Sequence, residues 1–395
     1  MQSTTQQDKA SQKTVQSAPY PLQFIDLHAQ QHRIRDKIDA RIQKVLEHGG
    51  YIMGPEVFQL EKALSLFCGA KHSISCANGT DALGLILMAK GVGAGDAIFV
   101  PAFTFAATAE VVAWVGATPI FIDSDPNTFN MCPQSLKHGI EKTKVLGLKP
   151  TAIISVDLFG LPADYDALQS IANENKLWIL DDAAQGFGGV YKGRKIGTLG
   201  LATATSFFPA KPLGCYGDGG AIFTDDDELA AIIRSLRVHG QGSDKYDNVR
   251  VGINGRLDTL QAAILIEKLA IFEDEIEERN VIASHYNQGL EDIVRTPKIF
   301  DTMTSTWAQY TILLNRTVDR GAILAALKEK GVPTAIYYPK PLHQQIAYKD
   351  YPSATLSLPV AEDYASRVLS LPMHPYLTRD DQDYIITALR EVATF

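Results

Sequence analysis

The 395-residue chain carries 37 Lys and Arg against 45 Asp and Glu, a formal net charge of −8. Its 46% hydrophobic and 21% charged residues are ordinary globular usage, which excludes a disordered, collagenous or disulfide-scaffold chain. Net acidity argues against sequence-independent binding of nucleic acid, which runs on clustered Lys and Arg, so an anionic ligand must be held by local dipoles and a few basic side chains.

Met1–Leu22 is rich in Gln, Ser and Thr, has no apolar run and no arginine, and is expected to be a disordered tail rather than a signal or transit peptide. Ile34, Ile38, Ile42, Val45 and Leu46 recur at helical spacing and predict a helix over Ala29–His48, stopped by Gly49-Gly50. Val57, Leu60, Leu64 and Phe67 predict a second helix that opens at Pro55. His72–Cys76 reads as a strand, and Asn78-Gly79-Thr80 turns from it into a helix carrying Ala82, Leu83, Leu85, Ile86 and Leu87.

The most apolar stretch, Ala97–Ile122, is long enough to cross a bilayer, but Pro101, Pro119 and Glu110 break it. Two buried strands around a helix near Ala106–Val115 explain it, and no membrane is expected as a partner. Ala152–Val156, Leu177–Leu180, Thr203–Phe208 and Ala221–Phe223 are further short apolar strands, with a helix over Tyr165–Glu174. This alternation predicts an α/β fold on a mostly parallel, buried sheet. From Leu257 a long helix is expected to run past Ile276. Beyond it lie a strand at Ala308–Leu314, a helix at Ala322–Lys330, a strand at Pro333–Tyr337 and a helix at Asp380–Val392. The expected division is a large α/β domain over 23–275 and a smaller C-terminal α+β domain over 276–395.

Several chemistries lack their signatures. The chain has no GxxxxGK[ST], no GxGxxG at a first strand–helix turn, no HExxH and no GxSxG. The nine histidines are scattered without ligand spacing, so no metal is expected. Cys68, Cys76, Cys132 and Cys215 form no CxxC pair and read as reduced thiols of a cytoplasmic protein.

Three places depart from ordinary core patterning. At Asn78-Gly79-Thr80-Asp81 a helix opens straight from a strand, and its free N–H groups suit a phosphate as well as they suit a plain capped helix. Asp181-Asp182 ends an apolar strand at the sheet edge where parallel folds bind ligands; such a pair is either solvated or partnered, for instance by a protonated ring nitrogen. Lys211 stands after a buried strand and before a glycine-rich turn, with no other basic residue between Lys195 and Arg234. Desolvation would lower its pKa and make it a Schiff-base nucleophile. A phosphate cradle, a strand-end carboxylate and a desolvated lysine are together the handles of pyridoxal 5'-phosphate.

The sequence resembles the DegT/DnrJ/EryC1/StrS family of sugar-nucleotide aminotransferases, fold-type-I pyridoxal phosphate enzymes, from about Phe24 to the C-terminus. The motifs that carry the likeness are NGTDAL at 78–83, PAFTFAATAEVV at 101–112, DDAAQGFGGVYKGRKIG at 181–197, SFFPAKPLGCYGDGGA at 206–221 and GINGRLDTLQAAIL at 252–265. The resemblance implies that Lys211 carries the cofactor and shuttles the proton. It further implies that Asp182 faces the pyridine nitrogen, that Gln185 lies near the ring hydroxyl and that Phe105 stacks on the ring. Gly79, Thr80 and Ser206 would hold the phosphate, with Asn254 reaching it from a second subunit of a homodimer with shared active sites.

Within the family, KPLGCYGDGGA most resembles the branch that moves an amino group from L-glutamate to C3 of UDP-2-acetamido-2-deoxy-3-keto-glucuronate for surface polysaccharide such as O-antigen. Arg256, His239, Tyr338 and His343 are the candidates for the UDP-linked keto-sugar, each of which also reads as a solvated surface residue. The alternatives are amination at C4 of a 4-keto-6-deoxy sugar nucleotide, or a non-catalytic nucleotide-sugar sensor on the same fold.

Overall fold

The computed structural model describes residues 21–244 and 246–393, so most of the expected N-terminal tail lies outside the described residues. Leu22, at its end, is buried. In chain order the strands are β1 His72–Cys76, β2 Asp96–Pro101, β3 Thr118–Ile122, β4 Lys149–Val156, β5 Trp178–Asp182, β6 Val190–Tyr191, β7 Arg194–Lys195, β8 Ala202–Ser206, β9 Gly220–Thr224, β10 Met303–Thr304, β11 Tyr310–Leu313 and β12 Val368–Leu371.

Seven of them form one sheet in the order β1-β9-β8-β5-β4-β2-β3. Neighbours from β8 to β3 are parallel. Only β9 is reversed, pairing antiparallel with β8 and with β1. The other six strands therefore end at one edge of the sheet.

Side chains alternate across each strand, so a sheet covered on both sides must be apolar at every position. Ile98, Val100, Ile154, Leu180, Ala204 and Ile222 pack to one face, under the helices Gly79–Ala89, Ala107–Trp114 and Asp227–Leu236. Ala97, Phe99, Ile120, Ile153 and Ile179 pack to the other, against Pro133–Leu146 and Tyr165–Asn175. A further cluster joins Phe207, Ala221 and Phe223 to the helices Pro55–Cys68 and Thr259–Leu269. Towards the C-terminus, Tyr286, Trp307, Tyr310, Ile385 and Leu389 form their own core, which also takes up Leu22.

The run Ala97–Ile122 is two buried strands around a helix, as its breaks predict. Among the described residues no helix is long and apolar enough to cross a membrane. Pro133–Leu146, Asp227–Leu236 and Pro359–Arg367 are helices beyond those predicted.

Three predicted elements differ. The long helix after Leu257 is two, Thr259–Leu269 and Phe272–Leu290, broken at Ile271, whose ψ is 2°. The break lets Ile271 join Ile34 and Ile38 while Phe272 turns into the Leu60 and Phe223 cluster. Pro333–Tyr337 is no strand; it makes a single bridge, Ala335 to Ser370, on the free edge of β12, and Pro333 has no N–H with which to extend it. β8 stops at Ser206, two residues short of the predicted end, where β9 enters at Gly220.

A buried ion pair fixes the carboxyl end of β1. Arg237 Nη1 lies 2.5 Å from Glu61 Oε1 and donates to the Ser75 carbonyl at 2.7 Å. The same Glu61 oxygen accepts from the Ser75 amide and hydroxyl, each at 2.9 Å. Arg237 and Glu61 are 3% and 8% exposed, so neither charge has water to fall back on. Arg237→Ala is expected to strand the Glu61 carboxylate and cost about 3–5 kcal/mol in chemical denaturation, whereas an exposed pair such as Arg35–Asp39 should cost under about 1 kcal/mol.

Candidate active site

The strand ends bring the motifs together. From β1 the chain passes through Asn78 into the helix Gly79–Ala89, whose first turn points its N–H groups outward from the sheet edge. The Asn78 side chain accepts from the Asp81 amide at 2.7 Å and so takes one of them, leaving the first of the turn for a ligand. Gly79 is pressed against the end of β8: a Cβ there would lie 2.7 Å from Cβ of Ser206 and 3.2 Å from its Oγ. Only glycine permits that approach, and it puts the Ser206 hydroxyl at the helix N-terminus. The positive end of a helix beside a hydroxyl suits a phosphate.

Asp182 closes β5 and is 6% exposed. Its Oδ2 accepts from the Thr108 hydroxyl at 2.8 Å, and its Oδ1 from the Ala184 amide at 3.3 Å. Thr104, in the bend before the helix, lies 3.3 Å from Thr108, oxygen to oxygen. Burial raises the pKa of Asp182 above the ordinary carboxylate range; Thr108, the Ala184 amide and the charge of Lys211 oppose the rise. Thr108 is a site residue that the sequence reading placed only in a helix. It lies within PAFTFAATAEVV, but nothing in the motif tells that the hydroxyl faces a carboxylate 74 residues away.

Lys211 follows β8, its amide donating to the Phe208 carbonyl at 2.8 Å. Burial lowers the pKa of its ammonium, and the attraction of Asp182 works the other way. The two groups therefore sense one another across the site, as a lysine that must lose its proton and a carboxylate that must keep its charge would.

Gln185 stands on the turn after β5 and is 5% exposed. Its Oε1 accepts from the Phe159 amide at 2.6 Å, and its Nε2 donates to the Tyr338 hydroxyl at 3.2 Å. Burial pushes the pKa of that hydroxyl up. The Tyr338 ring lies 6.4 Å from Phe105 and 6.0 Å from Phe103. Phe105 is 57% exposed, an apolar ring standing free above the strand ends. Asp182, Lys211, Gln185, Tyr338 and Phe105 thus form one group, with Gly79, Thr80 and Ser206 at the adjoining helix N-terminus.

The remaining candidates lie outside it. Asn254 and Arg256 flank Gly255, whose carbonyl accepts from the Ala77 amide at 3.1 Å. This places the segment beside the helix N-terminus, with Asn254 exposed. Arg256 is half-buried, and its Nε is enclosed with no hydrogen-bond partner among the described residues. His239 is exposed and its amide donates to the Ile253 carbonyl at 2.9 Å. His343 is turned to Glu362, with its Nε2 at 3.1 Å from Oε1, and its ring lies 6.5 Å from Phe121.

These residues fit pyridoxal 5'-phosphate on their own terms. The glycine-only cradle would take the phosphate, the buried Asp182 carboxylate a ring cation, and Lys211, whose ammonium feels the Asp182 charge, would supply the amine. Among the described residues no group of three or more His, Cys, Asp and Glu could hold a metal ion.

Comparison with known proteins agrees with this assignment. The family model for DegT/DnrJ/EryC1/StrS aminotransferases matches residues 32–390. A UDP-2-acetamido-2-deoxy-3-oxo-D-glucuronate aminotransferase of Pseudomonas aeruginosa is 51% identical over 370 residues, 93% of this chain and 99% of that protein. The crystal structure of a DegT DnrJ EryC1 StrS aminotransferase from Brucella abortus superposes with a TM-score of 0.92 at 54% identity, covering 94% of this chain and 99% of that one. That of S. venezuelae DesV in complex with a ketimine intermediate gives 0.88 at 36% identity, covering 95% and 99%. With a fold-type-I sheet, a cofactor site at its carboxyl edge and a family match across nearly its whole length, the chain belongs to the DegT/DnrJ/EryC1/StrS aminotransferase family and is a pyridoxal-phosphate-dependent sugar-nucleotide aminotransferase.

Proposed function

We propose that the enzyme moves the amino group of L-glutamate to C3 of UDP-2-acetamido-2-deoxy-3-keto-glucuronate, giving 2-oxoglutarate and a 3-amino sugar acid for surface polysaccharide such as O-antigen. The observation that carries this reading is the 51% identity, along nearly both full lengths, to the P. aeruginosa aminotransferase named for that substrate. Arg256 supports it: a half-buried guanidinium whose enclosed Nε has no partner is suited to a uronate carboxylate, and a neutral sugar would leave it unpaired. Tyr338, His239 and His343 are the further candidates for the sugar nucleotide.

When bound, the cofactor supplies a ring that takes up electrons as the proton leaves the carbon beside the nitrogen. The chain does the rest. Asp182, oriented by Thr108, keeps a positive charge on the ring nitrogen; Gly79, Thr80 and Ser206 hold the phosphate; Phe105 covers the ring and Gln185 lies near its hydroxyl. The lowered pKa of Lys211 favours its neutral amine more than in a solvated lysine, suiting it to act first as nucleophile and then as the base that carries the proton in each half of the reaction. Asn254 completes the phosphate site from a second copy, so the working unit is a homodimer with shared active sites. A cytoplasmic place of action belongs to the same reading and is in keeping with four free thiols.

Glutamate added alone to the cofactor-loaded enzyme is expected to convert the cofactor's absorbance to that of its amino form, and Lys211→Ala is expected to show no conversion. A wild-type spectrum that glutamate leaves untouched overturns the donor assignment. Arg256→Met is expected to raise KM for the 3-keto-uronate by about 10²-fold, the scale of an unpaired buried charge, while KM for the 3-keto sugar nucleotide without the carboxylate moves little. An equal rise for both would remove Arg256 from carboxylate recognition.

A further inference from the structure

The sheet face turned away from Thr108 carries two acids that the chemistry above does not use. Asp157 follows β4. Asp181 stands on β5 one residue before Asp182, so its side chain points to the opposite face. Both are 0% exposed. Asp157 Oδ1 accepts from the Ala163 amide at 2.8 Å and from the Tyr165 hydroxyl at 3.0 Å. Asp181 Oδ2 accepts from the Thr203 hydroxyl at 3.2 Å. The oxygens left over, Asp157 Oδ2 and Asp181 Oδ1, are buried and meet no donor among the described residues. Asp181 stands opposite Ser155 in the parallel register, and Asp157, two residues beyond Ser155, shares its face of the sheet.

Two carboxylates in this arrangement would suffer twice, from mutual repulsion and from an unsatisfied buried oxygen on each. The surroundings supply no cure. The groups that face the pair are Tyr165 from the helix Tyr165–Asn175, Ser155 from β4, Thr203 from β8 and Asp182 from β5. None of these is basic. A single proton removes both defects, because it turns one orphaned oxygen into a donor and leaves the pair with one charge instead of two.

We propose that Asp157 and Asp181 share one proton in the folded enzyme, and that this proton-linked pair is a positioning device for the strand end and turn that carry Asp182 and Gln185. The mechanical connection is short. The Asp157 amide donates to the Asp182 carbonyl at 3.2 Å. The Asp157 side chain lies directly under the turn: a Cβ on Gly186 would sit 2.3 Å from Asp157 Cβ and 2.7 Å from its Oδ2. Phe159, whose amide binds Gln185, is two residues from Asp157. The shared proton also spares Asp182 a second negative neighbour. Burial holds both acids above the usual carboxylate range; the charge of Asp181 raises Asp157 further, while a hydrogen bond from Asp157 opposes the rise on Asp181.

The test compares chemical denaturation of the cofactor-loaded wild type with Asp157→Asn and Asp181→Asn between pH 5 and 8. The unfolded carboxyls release their protons above about pH 4, whereas the folded pair keeps one. Wild-type stability attributable to the pair is therefore present at low pH and lost as pH rises toward 7. An asparagine supplies a fixed N–H where the proton sat, so each variant should lack this slope. Relative to wild type, its folding equilibrium constant should rise up to about tenfold per pH unit across the lower part of the range. Parallel profiles for wild type and both variants would mean that the pair holds no proton, and would overturn the proposal.

For the positioning role, Asp181→Ala is expected to slow the glutamate half-reaction about tenfold, and Asp181→Asn to recover most of the loss. A full rate in Asp181→Ala overturns that part. Should Asp181→Ala not fold, Asp157→Asn and Asp181→Asn still decide the question through their pH profiles.

Discussion

A charge taken out of water must find its counterpart inside the protein, and the carboxyl edge of this sheet is organised by that constraint. Three of the buried carboxyl arrangements along it are satisfied in three different ways. Glu61 has a permanent cation in Arg237. Asp157 and Asp181 have one proton between them. Asp182 has a hydroxyl, an amide and a lysine across the site, and in the proposed mechanism the ring nitrogen of the cofactor completes its charge balance. The first two are closed within the chain. The third is left open to a ligand, which is what makes that one a site.

The same edge explains the division of labour among the strands. The helix start at Gly79, after β1, meets Ser206 at the end of β8, and there the proposed phosphate end lies. β5 provides the carboxylate, the segment after β2 the aromatic cover, and the segment after β8 the amine. The reacting groups sit on the ends of packed strands or within a few residues of them, where core packing limits their freedom. Precision in Asp182 depends on Thr108, and precision in Gln185 on the Phe159 amide and Tyr338. These supports come from helix and loop segments that the sheet itself holds in place.

Much of this was legible in the sequence because it is local. A strand, a turn and a helix start in NGTDAL are contiguous, and the apolar runs of β2, β4, β5 and β9 are what a doubly covered sheet demands. Lys211 stands out by the absence of other bases around it. What could not be read is what distance in the chain conceals. Thr108 meets Asp182 across 74 residues and Tyr338 meets Gln185 across 153, so neither contact leaves a local pattern. Asp157 in VDLFG looks like a solvated loop acid until the fold seals it behind β5. The helix break at Ile271 and the single bridge at Ala335 have the same origin: packing partners elsewhere in the chain overrode a local periodicity that favoured a longer helix and another strand.

The reversed strand β9 has a consequence for how the enzyme is made. β1 is the first strand of the sheet to be synthesised, yet its only partner in the sheet is β9. That partner emerges about 140 residues later, on the order of ten seconds at ribosomal speed. Until then both edges of His72–Cys76 are unpaired. The proposed phosphate end of the site, where the helix start at Gly79 meets Ser206 of β8, therefore closes only after most of the large sheet already exists, through a contact of high sequence separation.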